Sequence, residues 1–303
     1  MPVPQVDLAA AGPRFSRLVL GLWRVAGWGL SDAELLALVH VSLDLGITTC
    51  DHADIYGDYS AEEIFGHALA LEPSLRQRMQ LVTKGGIKLV SARRPDHGLK
   101  HYDTSRAHII ASAENSLRLL GTDYLDLLLI HRPDPLLDPD EVAGAFVALR
   151  QAGKVLHFGV SNFAPSQFEL LASRLDLPLV TNQVEISLLN MGALYDGTVD
   201  QCQRLGIAPM AWSPLAGGRL LQGGGEPAVR LRRTLQGVGE ELGGALPEQV
   251  ALAWILRHPG RIVPIVGSGR IERVRNLAAA TDLHLSREQW FRLWAASTGR
   301  EVH

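Results

Sequence analysis

The chain has 303 residues, 47% of them hydrophobic and 20% charged, with 30 Gly and 16 Pro. That composition belongs to a chain with a packed core and excludes intrinsic disorder as its main state. Lys and Arg total 29 against 32 Asp and Glu, a formal charge of −3, so no global positive field is available for nucleic acid. Residues 1–11 lack a charged segment followed by an apolar one, and no apolar stretch is long enough to span a bilayer. The expectation is a cytoplasmic protein without nucleic-acid or membrane partners.

Short apolar runs alternate with longer amphipathic segments, which is the pattern of βα units around a parallel sheet. In chain order the runs are 18–22, 48–51, 81–84, 125–131, 156–161, 179–183, 208–213 and 262–267. Helix starts are signalled by Ser31-Asp32 before 33–45, by Ser60 with Glu63 as a capping box, and by Thr104 before 105–120. Further starts are Asp138-Pro139 before 140–151, Pro165-Ser166 before 167–173 and Pro247 before 248–258, with 271–280 and 286–296 closing the chain. Gly46, Gly121, Gly153 and Gly206 stand where a left-handed residue ends a helix. Two connections are long: 85–104, with a basic cluster, which reads as an extended loop, and the tract after the seventh run, with Gly217-Gly218 and Gly223-Gly224-Gly225. The two cysteines, Cys50 and Cys202, form no CxxC pair and suggest neither a disulfide framework nor a zinc site. Eight strands with intervening helices fit a single (β/α)8 barrel over residues 1–303 better than a doubly wound sheet, and its site belongs at the strand C-terminal ends.

Polar residues gather at those ends. Asp51, Lys84 and His131 each terminate a run, and Tyr56 follows Asp51 by five positions. Singly, each has an ordinary structural explanation: a cap, a solvated strand end, a packing residue. Together they form a chemical set. A phenol titrating near 10 is a weak proton donor at neutral pH, and an adjacent ammonium lowers that value. Lys84 supplies the ammonium, Asp51 holds it, His131 hydrogen-bonds a carbonyl oxygen and Tyr56 gives the proton. His52, Asp54 and His131 also permit a metal-hydrolase reading, but that reading leaves Lys84 unexplained, and adjacent Asp51 and His52 on a strand point to opposite faces.

The stretch Asp51-His52-Ala53-Asp54-Ile55-Tyr56-Gly57, Lys84 closing an apolar strand, and Leu129-Ile130-His131-Arg132 resemble the tetrad motifs of the aldo-keto reductases. The likeness continues through Gly153–Phe163, Asn182-Gln183-Val184-Glu185, Ala211-Trp212-Ser213-Pro214-Leu215 and Pro264-Ile265-Val266-Gly267-Ser268. It implies a TIM barrel that binds NADP(H) across its C-terminal face and moves a hydride between nicotinamide C4 and the carbonyl carbon of a small-molecule substrate. No complete GxGxxG follows a strand, in keeping with that family.

By the same resemblance, Ser161, Asn162 and Gln183 hold the nicotinamide carboxamide and Trp212 stacks on the ring. Ser213, Pro214, Leu215, Gly217 and Arg219 match the loop beside the pyrophosphate. Gly267, Ser268, Arg270 and Arg273 suit a 2′-phosphate at a helix N-terminus, with Asn276 near the adenine. The chain departs from many members at Gly267, where they carry Lys, and at Asn276, three residues after Arg273 instead of four. Trp23, Arg24 and Ile55 fall where substrate contacts belong. A barrel that binds NADPH as a redox-sensing, partner-binding subunit is the alternative reading; the full tetrad favours an enzyme. Oligomeric state has no signature here.

Overall fold

The computed structural model describes residues 1–302. Eight parallel strands close into one barrel in chain order: β1 (Val19–Gly21), β2 (Thr49–Asp51), β3 (Gln80–Gly85), β4 (Leu125–Ile130), β5 (Val155–Ser161), β6 (Leu179–Glu185), β7 (Met210–Trp212) and β8 (Val263–Val266). The predicted (β/α)8 barrel is therefore the observed fold. The strands are buried along most of their length, as a parallel sheet covered by helices requires.

The helices are α1 (Asp32–Asp44), α2 (Ala61–Ala70), α3 (Arg106–Leu120), α4 (Pro139–Gln151), α5 (Pro165–Ala172) and α6 (Thr198–Leu205). They continue with α7 (Glu226–Glu241), α8 (Pro247–Leu256), α9 (Ile271–Ala278) and α10 (Arg287–Thr298). Several starts follow from local chemistry. Ser31 and Glu34 form a reciprocal capping box on α1, and Asp138 accepts from the Asp140 and Glu141 amides at the head of α4. Gly121 and Gly206 end α3 and α6 at φ of 64° and 67°, a conformation that costs glycine nothing. The last helix docks through Trp290, which stacks on Trp254 of α8 with ring centroids 4.8 Å apart.

Three local expectations need correction, and two elements were not expected. Ser60 forms no capping box, because Gly57, Asp58 and Tyr59 precede it at φ of 58°, 54° and 63° and turn its hydroxyl back to donate to the Gly57 carbonyl. The cap of α3 is Ser105, whose hydroxyl accepts from the His108 amide, not Thr104. The connection 85–104 is not all loop: Ile87–Lys88 pairs antiparallel with His101–Tyr102. Finally, the hairpin Gln5–Asp7 with Arg14–Ser16 and helix α7 had no counterpart in the sequence reading. The hairpin packs at the strand starts: the Ser16 hydroxyl accepts from the Thr48 and Thr49 amides, and the Leu8 carbonyl from the Ala208 amide. The barrel is thus closed at that end and open at the other.

Candidate active site

At the C-terminal end of the strands lies a cavity of about 680 Å³, within the range of small-molecule sites. Lys84 sits beneath it with a side chain 0% exposed. Its Nζ donates to Asp51 Oδ2 at 2.8 Å, to the His52 carbonyl at 2.6 Å and lies 3.1 Å from the Tyr56 hydroxyl. Strand pairing creates this meeting: Asp51 ends β2, Lys84 lies near the end of β3, and the chain leaving β2 brings Tyr56 back over both. His131, just past β4, places its ring edge-on to Tyr56 at 5.8 Å between centroids. The four residues named from sequence are therefore together in space.

Burial governs their ionisation. It disfavours the Lys84 ammonium, but the Asp51 carboxylate and the Tyr56 oxygen outweigh it and hold Lys84 above its ordinary value. Burial pushes the Tyr56 phenol up, and the nearby Lys84 charge offsets only part of that rise. The expectation that Lys84 brings Tyr56 below its ordinary value is thus corrected. The phenol stays protonated at neutral pH. Burial, reinforced by Lys84 and then Arg132, keeps the His131 imidazole well below its usual value and hence neutral; its Nδ1 is buried without a partner.

A hydrogen-bonded chain extends from this set across the barrel. Gln183 Nε2 donates to Asp51 Oδ1 at 2.8 Å. The Ser161 hydroxyl donates to the Gln183 carbonyl, Asn162 Nδ2 to Ser161 Oγ, and the Trp212 indole N–H to Asn162 Oδ1. Asn162 and Ser213 hold φ of 62° and 50°, non-glycine left-handed positions of the kind that gather at functional sites.

Asp51, Tyr56, His131, Ser161, Asn162, Gln183 and Trp212 all line the cavity, as do Ser213, Pro214, Leu215 and Gly217. Gly267 and Arg273 border it from the β8 side, and Trp23, Arg24 and Ile55 at its mouth. Arg24 closes over one edge by donating to the Gly217 carbonyl at 3.2 Å. Arg219, Ser268, Arg270 and Asn276 lie outside the lining. Arg219 turns its Nε to the Ala216 carbonyl, the Ser268 hydroxyl accepts from the Arg270 amide, and the Asn276 carbonyl accepts from Gln249. Ser268 and Arg270 nevertheless form the turn that leads into α9, on which Arg273 stands.

Residues that the sequence reading did not assign to the site also line it: Gly218 and Gln222 from the β7 loop and Leu277 from α9. Glycine patterning marked the first, and no signal marked the other two. His52 is not among the lining residues. Its ring packs on Phe65 at 4.6 Å, and among the described residues no three His, Cys, Asp or Glu side chains are placed to hold a metal ion.

The model of the aldo/keto reductase family matches residues 17–297. The chain belongs to that family. Among the relatives of this aldo/keto reductase is Oxidoreductase YdhF of Escherichia coli, 53% identical over 300 residues and covering 99% of each chain. The 6-dehydroglucose reductase of Agrobacterium fabrum is 46% identical over 290 residues, covering 95% of this chain and 96% of its own. A crystal structure of the thermostable aldo-keto reductase Tm1743 with the inhibitor epalrestat superimposes with a TM-score of 0.81 at 29% identity, covering 97% of this chain and 99% of that one.

Proposed function

We propose that this aldo/keto reductase is NADP(H)-dependent and reduces aldehydes or ketones with Tyr56 as the general acid. The observation that carries the reading is the position of Lys84 Nζ between Asp51 and the Tyr56 hydroxyl. When bound, NADPH supplies a hydride from nicotinamide C4 to the carbonyl carbon.

The residues present suit such a dinucleotide. Ser161, Asn162 and Gln183 offer amide and hydroxyl groups beside Trp212, a pairing of hydrogen-bonding side chains with an aromatic face that fits a nicotinamide carboxamide and its ring. Gly217 and Gly218 at φ of 67° and 99° let backbone come close to a phosphate without a side chain in the way. Arg273 lines the cavity near the N-terminus of α9 and makes no ion pair among the described residues, leaving its guanidinium free for a 2′-phosphate.

Within the chain, the geometry supports the following roles. His131, neutral, presents an N–H to the carbonyl oxygen and fixes its direction. Tyr56 donates its hydroxyl proton to that oxygen, so an alcohol forms as the carbon gains the hydride. Lys84 stabilises the phenolate left behind, and Asp51 keeps Lys84 in place until a proton returns from solvent. The alternative, a redox-sensing subunit with little turnover, leaves this preassembled acid without a task.

The test is a fluorescence titration with NADPH and NADH followed by a screen of carbonyl substrates. Tight NADPH binding with turnover supports the reading; failure of both nucleotides to bind contradicts it. Arg273→Ala is expected to weaken NADPH about tenfold while leaving NADH affinity nearly unchanged, the loss of one charge-assisted phosphate contact. Equal weakening of both would place the 2′-phosphate elsewhere.

A further inference from the structure

The cavity carries positive charge that the tetrad does not use. Arg24, Lys100, Arg132 and Arg273 line it, whereas its carboxylates are Asp51, engaged by Lys84 and Gln183, and Asp58. Of these cations, Arg132 follows His131 directly, and its guanidinium stands over the Trp212 ring at 5.4 Å. Its charge acts on both Tyr56 and His131.

Arg132 differs from Arg76 and Arg17, whose donors are satisfied, and shares only with half-buried Arg273 on α9, already proposed for the 2′-phosphate, a place on the cavity without a side-chain partner. Arg76 stacks on Tyr124 at 3.9 Å and gives its donors to Thr122, the Met79 and Tyr124 carbonyls and Asp126. Arg17 gives its own to the carbonyls of Arg261, Ile262 and Leu256. Arg132, half-buried, makes no side-chain hydrogen bond or ion pair among the described residues, so its planar donor fork faces the cavity region unspent. A guanidinium held by an aromatic face and lacking a carboxylate partner is matched by a planar or tetrahedral oxyanion.

We propose that Arg132 is a specificity residue for carbonyl substrates bearing a carboxylate or phosphate, with Lys100 as a second cation at the exposed rim. The inference rests on the carbonyl-reductase reading of the same cavity. An anion held by Arg132, beside His131 and Tyr56, fixes one end of the substrate next to the groups that act on its carbonyl, and a neutral analogue forfeits that anchor.

The experiment compares kcat/KM for succinic semialdehyde against its methyl ester, and for glyceraldehyde 3-phosphate against glyceraldehyde, in the wild type, Arg132→Gln and Arg132→Lys. The expected result is a preference of about tenfold or more for the anionic member of at least one pair. The pair that shows it identifies the anion. Arg132→Gln collapses that ratio through KM, and Arg132→Lys restores part of it. A wild-type ratio near one in both pairs, or a ratio unchanged in Arg132→Gln, overturns the inference while neutral turnover leaves the reductase reading standing. If neither member of either pair turns over, the reductase reading fails, and quenching of tryptophan fluorescence by succinate decides the inference separately. Quenching lost in Arg132→Gln sustains it; quenching absent from the wild type or retained in the variant overturns it.

Discussion

Gln183 Nε2 donates to Asp51 Oδ1 at 2.8 Å, joining β6 to β2 half-way round the barrel. The other Asp51 oxygen accepts from Lys84, so one buried carboxylate ties the proposed carboxamide contact to the proposed proton donor. A hydrogen bond to a charged, buried group contributes about 1.5–3 kcal/mol.

Gln183→Leu should therefore lower both stability, by about 2 kcal/mol in denaturant titration, and turnover, by about tenfold. A variant as stable and as active as the parent would show that the Asp51–Lys84 pair needs no support from β6.

Lys84→Met leaves Asp51 charged with a side chain only 4% exposed. Breaking a buried pair by removing one partner costs about 3–5 kcal/mol, because the remaining charge has no compensation. Adding Asp51→Asn to the same chain removes that charge, so the double variant should be more stable than Lys84→Met alone. Equal stability of the two would mean that water reaches Asp51 once the lysine is gone.

A second buried group of acids lies outside the cavity. Burial, with a smaller contribution from nearby Glu62, pushes Asp54 up to about 7 despite the Ser112 hydroxyl at 2.8 Å. Burial likewise pushes Glu62 up to about 7 against the Thr83 hydroxyl that donates to it. Carboxyls near 4 in the unfolded chain release protons that the folded chain retains, so stability falls as pH rises from about 4 through about 7. His52, lowered to about 3 by burial and then Lys84, acts in the opposite direction, removing stability as pH falls below about 6.5. Asp54→Asn isolates the acid contribution: its stability relative to the wild type should rise between about pH 4 and pH 7. A constant difference across that range would mean that Asp54 titrates as an ordinary carboxylate.

The barrel and its tetrad were legible because both leave short-range marks. Three of the strands end where a polar residue closes or follows an apolar run, so Asp51, Lys84 and His131 could be placed at one rim before any contact was known. What the sequence did not carry was burial and closure. Lys84 promised a lowered Tyr56, yet the depth of the phenol reverses the net shift. The Gln183–Asp51 bond spans 132 positions and crosses a barrel that closes only when β8 pairs with β1. The N-terminal hairpin has strands of three residues, too short for alternation to register. Helix α7 does bury Ala228, Leu231, Leu235 and Val238 on one stripe, but Gly237 and Gly239 within it and the glycine tract before it masked the period. Ser60 carried a capping-box pattern that three preceding left-handed residues cancel. Arg132 follows His131 in a motif, and only in space does its lack of a side-chain partner at the cavity emerge.

The most direct test of the account is to measure NADPH binding and aldehyde turnover in parallel for the wild type and Tyr56→Phe. The account predicts unchanged NADPH affinity and a loss of turnover of about 10²–10⁴-fold, the contribution of a positioned general acid. A variant that binds NADPH and reduces aldehydes at the parental rate would remove Tyr56, and with it the Asp51–Lys84–Tyr56 arrangement, from the chemistry.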